Sequence, residues 1–194
     1  LTKTRIGRRH RRHATRTSPS TATARDTERH VQRARGDCMR MLEIGTIMVR
    51  MLDGVVDIYL PDFKYSSGIM ASKFSANAAT YPEITQQALI DMNRQVGTAK
   101  PSSDGLMYRG LKDRHLVMPN NVSGTKKVIE WIAENLPKDT YLNIMSQYRP
   151  MYRSSEFKEI ARKINRKEYS SAVMWAKEAG LTNLEIQGWP RWGL

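Results

Sequence analysis

The sequence predicts an α/β fold on a parallel sheet, and three observations carry that prediction. From about residue 52 onward, short β-branched and aromatic runs alternate with stretches of helical periodicity. The runs stop at proline or at polar residues, and the helical stretches carry their own start and stop signals. Parallel strands need a crossover of helical length, and right-handed βαβ units supply it. Three or four such units do not close a barrel. The expected fold class is therefore α/β with an unclosed parallel sheet of three or four strands, one edge exposed unless another chain or a missing N-terminal part covers it, which points to truncation.

The first run is Val55–Leu60, a strand ended by Pro61. Thr80 then reads as a helix N-cap, with Pro82 in the first turn and Glu83 three residues after the cap. Ile84, Ala88, Met92 and Val96 follow at spacings of four and Gly97 stops the helix, which predicts helix over 81–96. The cycle repeats with a strand over Asp113–Met118, a start at Ser123/Thr125, and a helix carrying Val128, Ile129, Ile132, Ala133 and Leu136 before Pro137. Thr140–Gln147 is the third strand. A helical turn or two is expected around Glu156–Ile164, then a helix from Asn165, whose partner Glu168 makes a capping box, ending at Gly180. Asn183–Gln187 is the last short strand.

The chain of 194 residues, 40% hydrophobic and 26% charged, is sized for one domain plus a tail, divided here as residues 1–40 and 41–194. Residues 1–40 hold 12 Lys/Arg against 3 Asp/Glu and account for most of the net charge of +13. Three of the four histidines (His10, His13, His30) lie there, and hydrophobic periodicity is absent before about Met39, so this Arg-rich segment is expected to be disordered. No apolar run approaches the roughly 20 residues that span a bilayer, and none resembles a secretory signal, which predicts a cytoplasmic protein with no membrane partner. The single cysteine, Cys38, can make no internal disulfide and can by itself hold neither a zinc ion nor an iron–sulfur cluster.

In parallel α/β folds, ligands meet the carboxyl ends of the strands. The residues there are Asp62 and Lys64 after the first strand, His115 within the second and Asn120/Asn121 after it, and Gln147, Tyr148 and Arg149 after the third. An acid and an amine two residues apart on an extended segment point the same way and suit a ligand bearing both ammonium and carboxylate; the plainer reading is a solvated pair. An arginine adds a rigid fork for a further anionic or polar group. A single histidine in an apolar strand is more often a hydrogen-bonded core group than a catalyst, and Arg114 faces the other side of the sheet. The methionines, among them Met92, Met118, Met145 and Met174, read as core filler, and Trp189 and Trp192 as surface caps.

The blocks Asp53–Tyr65 (DGVVDIYLPDFKY), Arg94–Gly97 (RQVG), Gly110–Pro119 (GLKDRHLVMP), Trp131–Pro137 (WIAENLP) and Asn143–Pro150 (NIMSQYRP), in this order, resemble the C-terminal half of radical S-adenosylmethionine proteins of the pyruvate formate-lyase activating enzyme type. The similarity covers about residues 52–187. It implies a partial barrel of radical S-adenosylmethionine type and a cofactor-binding set of Asp62, Lys64, His115, Gln147 and Arg149, with Lys64 where relatives contact the amino-acid end of the cofactor. Arg149 falls where the activating enzymes carry a histidine. The resemblance further implies S-adenosylmethionine and a 4Fe-4S cluster as cofactors, and a glycyl-radical enzyme or other protein as the partner. The cluster-ligating CxxxCxxC loop and the Gly-rich segment of that family are absent from this sequence, so the chain as it stands is expected to be inactive.

Residues 1–40 support two other readings. Clustered arginines bind phosphate by counterion release, which makes the segment a candidate nucleic-acid binder, though without an aromatic stacking platform. Its abrupt end where patterned sequence begins also fits an out-of-frame or misassigned start.

Overall fold

The computed structural model describes residue 45 and residues 47–188. Readings that fall on residues 1–40, on Cys38 and on Trp189 and Trp192 lie outside the described residues. Four strands, β1 (Ile58–Tyr59), β2 (Gly110–Leu116), β3 (Tyr141–Met145) and β4 (Leu184–Ile186), form one sheet in the order 1-2-3-4. All three pairings are parallel. The fold is therefore α/β with a four-stranded parallel sheet, an arrangement compatible with a partial α/β barrel. Among the described residues, no further strand flanks β1 or β4.

After β1 the α-helices among the described residues are α1 (Gly68–Phe74), α2 (Tyr81–Val96), α3 (Thr125–Asn135) and α4 (Arg166–Glu178). Their apolar residues bury one face of the sheet: Leu89 of α2, Ile129 and Ile132 of α3 and Ala172 of α4 pack in one core with Leu111, Leu142 and Ile144 of the strands. Burying a leucine or isoleucine side chain contributes about 1.5–3 kcal/mol, so this layer is the main source of stability. Phe63 and Trp131 meet edge to face there, with ring centroids 5.6 Å apart.

Several boundaries differ from the sequence reading. The first strand is shorter than Val55–Leu60 because the chain turns before it, with Val55 N–H donating to the Leu52 carbonyl at 3.0 Å. The ladder resumes past Pro61, where the Arg114 amide donates to the Pro61 carbonyl and the Phe63 amide to the Arg114 carbonyl, both at 3.0 Å. Pro61 lacks only a donor, and this ladder asks it for an acceptor. The second strand begins at Gly110, earlier than Asp113; its φ of 130° and the Ala99 backbone packed against it leave no room for a Cβ.

Helix starts divide in the same way. The capping box at Asn165 is present, with Glu168 N–H donating to Asn165 Oδ1 at 2.9 Å and Asn165 N–H donating to Glu168 Oε2 at 2.8 Å. The one expected at Thr80 is not formed, because Thr80 has φ −93° and ψ 4° where a capping hydroxyl needs an extended backbone. α3 starts at Thr125, one of the two expected starts, with Gly124 rather than Ser123 before it at φ 64°, where a Cβ would overlap the Ser66 side chain. Gly97 and Gly180 follow α2 and α4 in the left-handed region, as expected of stop signals. Of the segment 156–164 only Glu156 is helical, as the last residue of a 3-10 helix at Tyr152–Glu156, and turns follow it.

Candidate ligand-binding face

Among the described residues, the sheet's other face carries no layer of helices from this core, and at its carboxyl end Leu116 packs against a smaller cluster of Tyr65, Ala71, Met118 and Val122. By alternation along β2, Leu111, Asp113 and His115 point to the helices, so Lys112, Arg114 and Leu116 point to this second face. Registers then fix a row across four strands: Asp62 is bridged to Arg114, Arg114 pairs with Asn143, and Asn143 with Glu185. With neighbouring strands about 4.8 Å apart, the row runs about 14 Å.

Asp62 anchors one end. Its carboxylate lies 2.8 Å from Arg114 Nε and 3.1 Å from Lys64 Nζ. All three side chains retain partial contact with solvent, so each ion pair contributes little to stability. The geometry is set from behind by Tyr81 at the start of α2. Its hydroxyl accepts from the Lys64 backbone amide at 2.9 Å and donates to the Asp62 carbonyl. Burial raises the Tyr81 pKa above its ordinary value, so the phenol stays protonated and available to donate.

The row's other end pairs Glu185 with Lys112, whose Nζ lies 2.8 Å from Glu185 Oε2 and 4.8 Å from the centre of the Tyr141 ring. Between the two ends sits Asn143, 7% exposed, whose side-chain oxygen has no hydrogen-bond partner.

The structure divides the predicted site residues. It brings Asp62 and Lys64 together with Arg114, which the sequence reading set aside. Gln147 and Arg149 lie exposed on the segment leaving β3, at the same carboxyl end of the sheet, with Gln147 Nε2 at 3.4 Å from Met145 Sδ. His115 is placed on the opposite face, fully buried, and so does not join a ligand-binding set. Its Nδ1 donates to the Phe63 carbonyl at 2.6 Å and its Nε2 lies 2.9 Å from the Thr125 hydroxyl. Burial pushes its pKa down to about 4, so the ring is neutral near pH 7, and Nε2 accepts from Thr125. The Ser123 hydroxyl lies 3.0 Å from that of Thr125 and accepts from the Met118 amide at 3.3 Å. His115 therefore ties β2 to the start of α3 and to the segment after β1.

Asn120 is likewise structural. Its side chain donates to the Glu159 carbonyl and accepts from Arg162, each at 2.8 Å, and its backbone amide donates to Glu168 at 2.8 Å. The Arg162 guanidinium beside Glu168 holds that carboxyl down at about 2. The Tyr148 hydroxyl donates to the Ile160 carbonyl at 2.8 Å.

Asp113 is another buried ionisable group on the helix-covered face. Neither of its oxygens has a hydrogen-bond partner in good geometry. Burial pushes its pKa up to about 7, offset only in part by the Arg114 backbone amide.

As to cofactors, an acid flanked by two bases fits the ammonium and carboxylate of an α-amino acid, which is one end of S-adenosylmethionine. Iron–sulfur ligation is not matched: among the described residues, no group of three His, Cys, Asp or Glu side chains could hold a metal ion.

No model of a known protein family matches the chain, and no solved structure matches it. An uncharacterized protein of Methanocaldococcus jannaschii is 30% identical over 134 residues, which is 69% of this chain and 35% of that protein. The chain thus spans about a third of the length of the curated relative it matches. No helix among the described residues is long and apolar enough to cross a membrane.

Proposed function

We propose that residues 52–187 are the C-terminal portion of a radical S-adenosylmethionine enzyme of the activating-enzyme type, within a partial (β/α) barrel. Asp62, Lys64 and Arg114 hold the amino-acid end of the cofactor. The observation that carries this reading is the meeting of one carboxylate with an ammonium at 3.1 Å and a guanidinium at 2.8 Å, beyond β1 at the carboxyl end of a parallel sheet. The bound cofactor would supply a 5′-deoxyadenosyl radical; the protein residues orient it. Asp62 receives the ammonium, Lys64 and Arg114 receive the carboxylate, and Tyr81 keeps the Asp62–Lys64 backbone in place. The chain has one cysteine, so thiolate ligands for a cluster would have to come from elsewhere.

The test is calorimetric titration of S-adenosylmethionine into the chain and its Lys64→Ala variant. Charge-assisted hydrogen bonds contribute about 1.5–3 kcal/mol, so affinity should fall roughly ten- to a hundredfold while stability changes by less than about 0.5 kcal/mol. No binding by the unaltered chain, or equal affinity in the variant, would remove the cofactor-holding role from Asp62 and Lys64.

A further inference from the structure

We propose that Asn143 and Glu185 form a second subsite on the same row, one that selects a neutral carboxamide group on the ligand acted on beside the cofactor end. The proposal rests on the cofactor reading only for what happens at the row's first end; the subsite itself is argued from its own residues.

Asn143 sits in register between Arg114 and Glu185, on the central strand of the three. It is 93% buried, and its side-chain oxygen has no donor. A buried acceptor left unpaired is costly, and a hydrogen-bond donor on a ligand relieves that cost. One strand over, about 4.8 Å away, lies the Glu185 carboxylate, a second acceptor on the same face. Two neighbouring acceptors call for N–H donors.

Charge decides which donor. The Glu185 carboxylate is already matched by Lys112 at 2.8 Å, and Lys112 is steadied over the Tyr141 ring at 4.8 Å. This end of the row is therefore electrically balanced. A ligand ammonium would compete with Lys112 for Glu185, and a ligand carboxylate would face both Glu185 and the Asn143 oxygen. A carboxamide brings N–H donors without net charge, and its own carbonyl can accept a hydrogen bond from Lys112 or Arg114.

Three isosteric probes separate these classes: propionamide, propionate and propylamine, titrated into the ¹⁵N-labelled chain by NMR. Propionamide should perturb the Asn143 side-chain resonances saturably and bind at least about tenfold more tightly than either charged probe, the factor that one hydrogen bond of ordinary strength provides. Asn143→Leu should abolish that binding. Asn143→Asp keeps the shape, adds a charge, and should reverse the preference toward propylamine. Equal affinity for the three probes, shifts confined to other residues, or propionamide binding that survives in both variants would overturn the proposal. Failure of S-adenosylmethionine to bind, with carboxamide selection intact, would instead overturn the cofactor reading alone.

Discussion

On the helix-covered face of the sheet, Asp113 and His115 are fully buried, whereas one residue away on the second face Lys112 and Arg114 reach partly into water and meet acids from other strands. The same seven-residue strand thus carries ionisable groups in both directions. On the covered side burial disfavours the charged form of each, lowering the pKa of His115 and raising that of Asp113. On the open side they stay charged, solvated and able to exchange partners. The proposed ligand binding belongs to the second environment and fold specification to the first.

The largest effect expected from breaking this contrast is that of His115→Ala. It removes a fully buried ring, takes the donor from the Phe63 carbonyl and leaves the Thr125 hydroxyl with Ser123 as its remaining partner. Cavity and unpaired polar groups together should cost about 2–4 kcal/mol in denaturant unfolding. A loss under about 1 kcal/mol would mean that His115 is not the staple described above.

A second expectation concerns pH, because the two buried groups pull in opposite directions. The folded pKa of His115 lies below its usual value, near 4, so its contribution is present above about pH 6.5 and lost as pH falls toward 4. The folded pKa of Asp113 lies above its usual value, near 7, so its neutral form favours folding at low pH and that benefit is lost as pH rises through 7. Between pH 7.5 and 5 each amounts to about 2 kcal/mol, and in the unaltered protein they largely cancel. Asp113→Asn should expose the histidine alone, giving a protein that loses about 2 kcal/mol between pH 7.5 and 5. Stability curves of identical pH slope for the two proteins would contradict this.

The smallest expected effects contrast two helix starts. Asn165→Ala removes a formed capping box and should cost about 1 kcal/mol, whereas Thr80→Ala removes no cap bond and should stay within about 0.5 kcal/mol. Thermal melts of the two variants measure the difference directly.

These contrasts also mark what the sequence could reveal. Helical periodicity located α2 and α3, because an apolar stripe buried on one core repeats every turn, and the capping box at Asn165 with the stop at Gly180 located α4. Asn165 and Thr80 share the same local signature; only the backbone angles at the cap distinguish them, and those depend on how the preceding loop packs. Asp62 and Lys64 were legible as a pair because period two fixes their shared direction. His115 entered the candidate set because a strand carrying charges at Lys112, Asp113, Arg114 and His115 does not reveal which side the helices cover. Arg114, Asn143 and Glu185 come together through register across strands separated by whole helices, and no local pattern encodes that. The alternation of Lys112 and Arg114 with Leu111 was the available hint.

Tyr81 gives the polar row a mechanical connection. It is the first residue of a 16-residue helix, about 24 Å long, and its hydroxyl links the backbone on either side of Phe63. The helix acts as a lever whose near tip sets the spacing between an acid and a base. Its far tip is held near Gly97, whose carbonyl accepts from the Leu111 amide at 2.8 Å. A change at that remote end that shifted the helix along its axis would move Leu89 and Val96 in the core together with the Tyr81 hydroxyl, so the aim of Lys64 and the packing of the core rest on one helix.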